Sequence, residues 1–589
     1  MTLQTDLETA IAKVTADSTL LHSIVHGPAS GTGSTLTTEG GDVKTVAKAI
    51  ADVETEYAAV GVMAAVNADR VAAEAARVGA ETAAADATSA QAQAELAAVA
   101  GNVKVSANDT TGGKLHGKLV AGTGITLTEG DDGGDETLTI SASGGVISVD
   151  TTLNVGIGQA HATVTAALAY LADYRIKPGV TVFISVIGAV AEAAVITINH
   201  PDSANIIISG TAPITTTLSG ISAQSGAQGA YSVTYTVASS AGMAVGDYVI
   251  LYNTSGGTYQ GPNHGVFPIT AIPDGTHITV ANPSWTAAWQ GAGVNTGNVK
   301  CLKSRLTFAA SGAFTVTKPN AVLNLRDIAL VGASVLNGLR LDQAGVNGLP
   351  GKAYLSCVGL YDWQWFAVVD GGGELHLAGT CAMSRFSSTG VWVRQGGKAV
   401  LAPGAYFTIM GMTSAAGGNG AINLESGGAF DLGFGTAGQV MIACNYGYGV
   451  RAFGSGSRFS LGASTNSRIE LNGYSGVFTQ NEASVTARGI VLQANGNIDG
   501  IGNIYAIQQS RVDYSYASIG AAASPGTYLV RGEMQSDLDG FAANYTGASG
   551  NVYATHSSRI AFNAGTNYGA VAISPALNTH GNSNAYIVN

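Results

Sequence analysis

Two hydrophobic periods follow one another along the chain. Between residues 43 and 78 the positions Val43, Val46, Ile50, Val53, Tyr57, Val60, Ala64, Asn67, Val71, Glu74 and Val78 advance in steps of three and four. That heptad spacing predicts a coiled coil within residues 43–100. β-Branched residues in both seam rows favour three strands over two, so the expectation is a homotrimer. Asn67 in the seam fixes register at a cost in stability, and Glu74 loosens the seam or shifts it to Ala75. The competing reading is a single solvated helix, which leaves a long stripe of Val and Ile in water. Beyond Val78 the stripe thins into "ETAAADATSAQAQAELAAVA", which alanine keeps helical. Upstream, residues 1–26 read as an amphipathic helix ending near "HGP", followed by a loop rich in Gly, Ser and Thr. His22 and His26 are four apart on one helical face, but the Glu of a metalloprotease motif is absent. A packing or docking face is expected there, and no metal is assigned.

From about residue 117 the period drops to two. "ITLTE" and "ETLTIS" flank "GDDGGD" and read as a β-hairpin. An isolated hairpin is marginal in water, so this one is expected to interlock with copies from sister chains. "HATVTAALAYLADYRIKPG" reads as a short helix, with Val164, Leu168 and Leu171 on one face and Pro178-Gly179 as its stop. Placed before the first strands, it would cover the open end of a strand stack. The apolar run Gly179 to Ile198 contains Glu192 and breaks around Gly188, so two buried strands fit it better than a membrane span. Residues 211–300 interrupt the rhythm and read as a small inserted β domain.

Thereafter one unit recurs: "GVWVRQGGKAVLAPG" at Gly390, "GAINLESGGAFDLGFG" at Gly420, "GVRAFGSGSRFSLGAS" at Gly449 and "GVFTQNEASVTARG" at Gly476. The second residues of the units fall at Ala367, Val391, Ala421, Val450, Val477, Ala506, Leu529 and Tyr553, 23 to 30 residues apart. A variable period in this range, built from strands, predicts a right-handed parallel β-helix solenoid. A β-propeller needs roughly 40 residues or more per repeat, and these units are too short. The expected fold is thus mainly β. Residues 1–42 form a helix and loop, 43–100 a trimeric coiled-coil stalk and 101–145 a β-hairpin connector. Residues 146–210 form the capping helix and first coils, 211–300 the insertion and 301–589 the main solenoid.

Composition agrees with this order. Glycine supplies 80 of 589 residues and only 11% are charged, which suits short strands joined by many tight turns. The net charge of −12, without clustered Lys and Arg, argues against nucleic acid as a partner. Cys301, Cys357, Cys381 and Cys444 are too few and dispersed for a disulfide framework or zinc site. Cys357 and Cys381 are expected to stack in one core column. The start "MTLQTDLETAIAKV" has no cationic or apolar region of a signal peptide. No membrane insertion and no cofactor are expected.

The order of the parts resembles bacteriophage tail-fibre and tailspike proteins. The resemblance rests on "LETAIAKVTADSTLLHSIVHGP" followed by "DVKTVAKAIADVE", the connector "GKLVAGTGITLTEGDDGGDETLTIS", "INHPDSANIIISG" and the ending "ISPALNTHGNSNAYIVN". It implies a pectate-lyase-like β-helix body and a homotrimer in the virion, made in the host cytoplasm. Residues 1–42 would attach to tail or baseplate proteins, and the solenoid would face a host surface polysaccharide or receptor. Iron-binding His-x-His tips occur in some such fibres; this chain has no His-x-His.

Tailspikes of this shape often cleave polysaccharide with paired carboxylates. The best pairs here are Asp370 with Glu374 and Asp537 with Asp539, but the acids do not recur at one repeat position, and solvated turn residues are the simpler reading. No Lys or Arg cluster stands beside them to stabilise an enolate-like charge, so the enzyme question leans to no. The densest binding feature is "YDWQWF". Alternation on one strand would put Tyr361, Trp363 and Trp365 on one face, with Asp362 as acceptor, as a platform for sugar rings. The alternative is that these rings fill the core or a trimer interface. Trp392 and Phe478 are weaker candidates in neighbouring units. Three functions remain open: a receptor-binding fibre, a depolymerising spike, and a structural tail connector.

Overall fold

The computed structural model describes residues 3–98 apart from 29, 39–40 and 58–62, then residue 119 and residues 125–130 and 137–142. It describes 144–588 apart from 285–295, 342–350, 414–418, 433–437, 462–466, 522–527, 546–549, 563–570, 575–585 and eight shorter gaps at 228, 257–258, 310–311, 317, 319, 334–336, 497 and 499–500. The chain forms two compact units, Met1–Ala142 and Ser143–Asn589.

In the first unit, helix α1 spans Leu3–His26. It presents Leu7, Ile11, Val14, Leu21 and Val25 to solvent. A hairpin pairs Thr35–Thr38 with Gly41–Lys44. Helices α2 (Val46–Tyr57) and α3 (Met63–Ala98) follow. The expected stalk therefore starts too early: Val43 lies on the hairpin, opposite Leu36. Thr45 sets the boundary, its hydroxyl accepting from Lys48 N at 3.0 Å as an N-cap. Val46, Ile50, Val53 and Val78 are exposed along the helices. Val60 and the side chains of Tyr57, Asn67 and Val71 lie outside the described residues. Ile125–Gly130 and Thr137–Ala142 form an antiparallel hairpin.

The second unit is a parallel β-helix of about 13 turns. Each coil contributes strands to three stacked columns. The first column runs from Thr151–Val155 through Val182–Val186 and Ile206–Gly210 to Tyr586–Val588. The second contains Ala189–Glu192 and Arg305–Phe308 and continues through the middle of Lys352–Val369. The third stacks Ala367, Val391, Ile422, Val450, Val477, Ile504, Val530 and Val552 inward, 22 to 31 residues apart. Four sequence anchors, Ala421, Ala506, Leu529 and Tyr553, thus lie one or two residues off register, because each sits close to another apolar residue that takes the inward position. Inward side chains of all three columns make one continuous core.

Corners between columns use left-handed backbone. Asp327 (φ 54°) and Cys357 (φ 57°) turn the first column into the second. Cys357 is therefore a corner residue whose thiol meets Lys300 Nζ at 3.0 Å, and only Cys381 is buried in the core, so the two do not stack. Helix α4 (Val164–Leu171) covers the first coils. Glu192 accepts from Val164 N at 2.5 Å and Thr165 Oγ1 at 2.8 Å at its N-terminus, while His200 Nε2 meets the Leu171 and Tyr174 carbonyls at its end. The residue that argued against a membrane span is thus a helix clamp. Among the described residues no helix is long and apolar enough to cross a membrane.

At one corner the chain leaves the solenoid after Gly210 and returns at Arg305. The excursion is a closed six-stranded antiparallel barrel from Ile214 to Leu302. It packs on the outer face of the second column through Met410, Met441, Ala443 and Leu471, and through Ala329, Tyr361 and Ala382. Glu470, fully buried, fastens it: its carboxylate accepts from Gln260 N at 2.7 Å, from Gly261 N, and from Gln493 Nε2 at 2.7 Å. A Cβ on Gly261 would sit 2.2 Å from Ala443 Cβ, so only glycine permits this approach.

Candidate functional site: an outward row on the third column

The motif "YDWQWF" does not form one face. Asp362 is left-handed (φ 67°) and reverses the alternation between the second and third columns. Tyr361 points outward under the barrel, its ring 5.5 Å from Tyr248. Trp363 points inward, fully buried, 5.8 Å from Phe308, and donates its indole N–H to the Leu330 carbonyl at 3.2 Å. Trp365 is half-buried beside Thr389. Asp362 lies 3.3 Å from Arg385, and burial raises its pKa against the pull of that guanidinium. The expected sugar platform is thus corrected: two of its three rings are covered. Below Trp363 the same corner is lined by Phe386 and Met412. It then passes to Asn445, Asn472 and Asn495, each amide donating to the next at 2.8–2.9 Å.

The candidate carboxylates are separated and individually engaged. Asp370 accepts from Arg394 Nε at 2.8 Å. Glu374 lies on the first column between Lys352 at 2.9 Å and His376 at 3.0 Å. Lys352 first, then His376, hold its carboxyl below the usual range, so it is an anion and unsuited to donate a proton. Asp537 pairs with Arg559 at 2.9 Å, and Asp539 caps Phe541 N at 3.1 Å. Among the described residues no group of three or more His, Cys, Asp or Glu side chains is arranged to hold a metal. The His22 and His26 rings lie 4.6 Å apart.

Stacking assembles a different site. On the third column one outward position reads Trp392, Asn423, Arg451, Phe478, Tyr505, Arg531 and Tyr553 in successive coils. Neighbouring strands bring Tyr448 to 4.9 Å from Phe478, and Tyr528 to 5.2 Å from Tyr553. Phe478 in turn stands 5.4 Å from Tyr505. Guanidinium groups lie over the rings: Arg394 4.4 Å above Trp392, and Arg531 4.8 Å from Tyr528 and 5.3 Å from Tyr505. Carboxylates fix both ends. Glu425 accepts from Asn423 at 2.9 Å and Arg451 at 3.3 Å. Glu533 accepts from Arg531 Nε at 2.8 Å and from the Tyr505 hydroxyl at 2.9 Å. Burial first, then Glu533, push the Tyr505 phenol up to about 12, so it remains a hydrogen-bond donor. The result is a row of ring edges, phenols and guanidinium groups along the solenoid axis, each carried on a strand. Trp392 and Phe478 were visible in the sequence as separate candidates; the unequal coil lengths hid that they share one register.

No family model matches the chain, and no curated protein matches it. Among solved structures it is similar to the catalytic domain of a GH87 alpha-1,3-glucanase in complex with nigerose, with 9% identity over 64% of this chain and 89% of that one. The TM-score is 0.16, too low for a common arrangement of coils to be read from it.

Proposed function

We propose that this chain is an adhesin of the bacteriophage tail-fibre or tailspike type. In this reading it is a homotrimer of the virion whose residues 1–42 dock on tail or baseplate proteins and whose solenoid binds a host surface glycan. The order of helix, hairpin, long helices, connector hairpin, capping helix and β-helix supports the class. The row from Trp392 to Tyr553 carries the glycan assignment. Rings stack on apolar sugar faces, phenols and guanidinium groups bond hydroxyls, and a rigid row loses little entropy on binding an extended chain. Binding without cleavage is favoured because every candidate carboxylate named above is engaged by a cation or a backbone N–H.

The test is the double variant Tyr505→Ala, Tyr553→Ala in the full chain. Adsorption to host cells should fall about tenfold or more, corresponding to the loss of two stacked rings at roughly 1.4 kcal/mol per tenfold. The melting temperature should fall less than in Trp363→Ala. Undiminished adsorption removes the row from the reading, and release of reducing ends from host envelope turns it into a depolymerase.

A further inference from the structure

A second feature lies at the turn from the third column back to the first. Here the chain reverses through two consecutive residues with left-handed backbone. Upper coils place glycine there: Gly371–Gly372, Gln395–Gly396 and Ser426–Gly427. Lower coils do not. Asn481–Glu482, Gln508–Gln509, Met534–Gln535 and His556–Ser557 hold φ between 51° and 64°. L-residues are strained in this region, and glycine relieves the strain. The same turn accepts glycine a few coils away, so strain kept in four consecutive turns points to a use for the side chains.

The side chains of the first three of these turns line a solvent-open groove of about 530 Å³, with Ser455, Glu482, Met534 and the amides Asn481, Gln508, Gln509 and Gln535 at its wall; His556 and Ser557 lie outside it. The amides are fixed across coils: Gln480 Nε2 donates to Gln508 Oε1 at 2.7 Å, and Gln509 Nε2 to Gln535 Oε1 at 2.9 Å. Among the described residues the side chains of Asn481 and Glu482 take no partner. The groove follows the ring row within each coil: Asn481, Gln508 and Met534 come three residues after Phe478, Tyr505 and Arg531.

We propose that this groove is a binding site for an uncharged, hydroxyl-rich glycan chain running along the solenoid axis. Amides donate and accept, as sugar hydroxyls do, and can match them without a net charge. Stacked coils repeat the amides at about 4.8 Å, on the scale of one sugar residue. Glu482 is the single charge in the wall and disfavours a polyanion. The inference rests on the glycan-binding reading above and gives the ligand its charge class.

The experiment replaces Glu482, Gln508, Gln509 and Gln535 together with glycine in the full chain. Binding is measured on immobilised neutral glycans (dextran, mannan and galactan) and acidic ones (alginate and hyaluronan), with thermal unfolding in parallel. The wild type should bind a neutral glycan in preference to the acidic ones. The variant should lose that binding at least tenfold while its melting temperature rises by a few degrees, as relief of backbone strain requires. Unchanged neutral-glycan binding, a preference for acidic glycans, no binding by the wild type, or a fall in melting temperature would each overturn the proposal. The ring-row variant separates the two readings: undiminished host adsorption by Tyr505→Ala, Tyr553→Ala defeats the row, whereas the groove is judged on the glycine variant alone.

Discussion

One left-handed residue decides the fate of each aromatic in "YDWQWF". With Asp362 at φ 67°, Trp363 enters the core, and Trp363→Ala should cost about 3–5 kcal/mol, read by chemical denaturation. His264 is a second residue whose surroundings dictate its behaviour. It is buried in the barrel; Nε2 accepts from Thr254 N at 3.2 Å, and Nδ1 faces the Gln260 carbonyl at 2.9 Å. Only the neutral ring with its proton on Nδ1 satisfies both. Burial accordingly lowers its pKa from 6.5 to about 4. As pH falls below 6.5 the unfolded chain takes up a proton that the folded chain refuses. Stability present above pH 6.5 is therefore lost on the way down to about pH 4, on the order of 3 kcal/mol in all. Denaturation at pH 7.5 and pH 4.5 should show this loss in the wild type and a smaller one in His264→Asn.

Elements here are joined by few, specific contacts, and the barrel is the clearest case. Its 261–263 turn reaches the solenoid through Glu470, a fully buried carboxylate surrounded by donors. Glu470→Ala should cost about 3–5 kcal/mol, and limited proteolysis should cut within residues 211–300 before the solenoid. Some of this architecture is legible in the sequence. Strand period, turn glycines and a unit length below that of a propeller carry the solenoid, because every coil must bury one inward face. The heptad stripe carries the long helices but not their first residue, since Val43 matches a seam and a strand equally well and only the Thr45 cap distinguishes them. The ring row was illegible because it is defined across coils. Trp392 and Tyr505 share a register only after coils of unequal length are laid on one another. The buried asparagine ladder has a faint signal in "CNYGYG", "LNGYSG" and "ANGNIDG", which resemble one another only at Asn and Gly.

At the scale of the whole molecule, the proposed trimer has a direct measurement. Val46, Ile50 and Val53 on α2 are each about half exposed, at 44 to 56%, and a homotrimeric seam would cover them. Light scattering of the full chain should give three times 59.1 kDa; a clean monomer or dimer at micromolar concentration would remove the trimer. The barrel's attachment has a consequence for how the chain is made. Its strands end at Leu302, yet its resting place includes Met441, Glu470 and Leu471, far later in the chain. At the usual pace of synthesis that interval lasts roughly 10–30 s. During it, a finished barrel displays an apolar face that Ala329, Tyr361, Ala382 and Met410 cover only in part. A nascent chain stalled between residues 303 and 440 is therefore more prone to self-association than one stalled before the barrel or after the coil that carries Glu470, and the order of synthesis makes later-made coils the guardians of a domain finished before them.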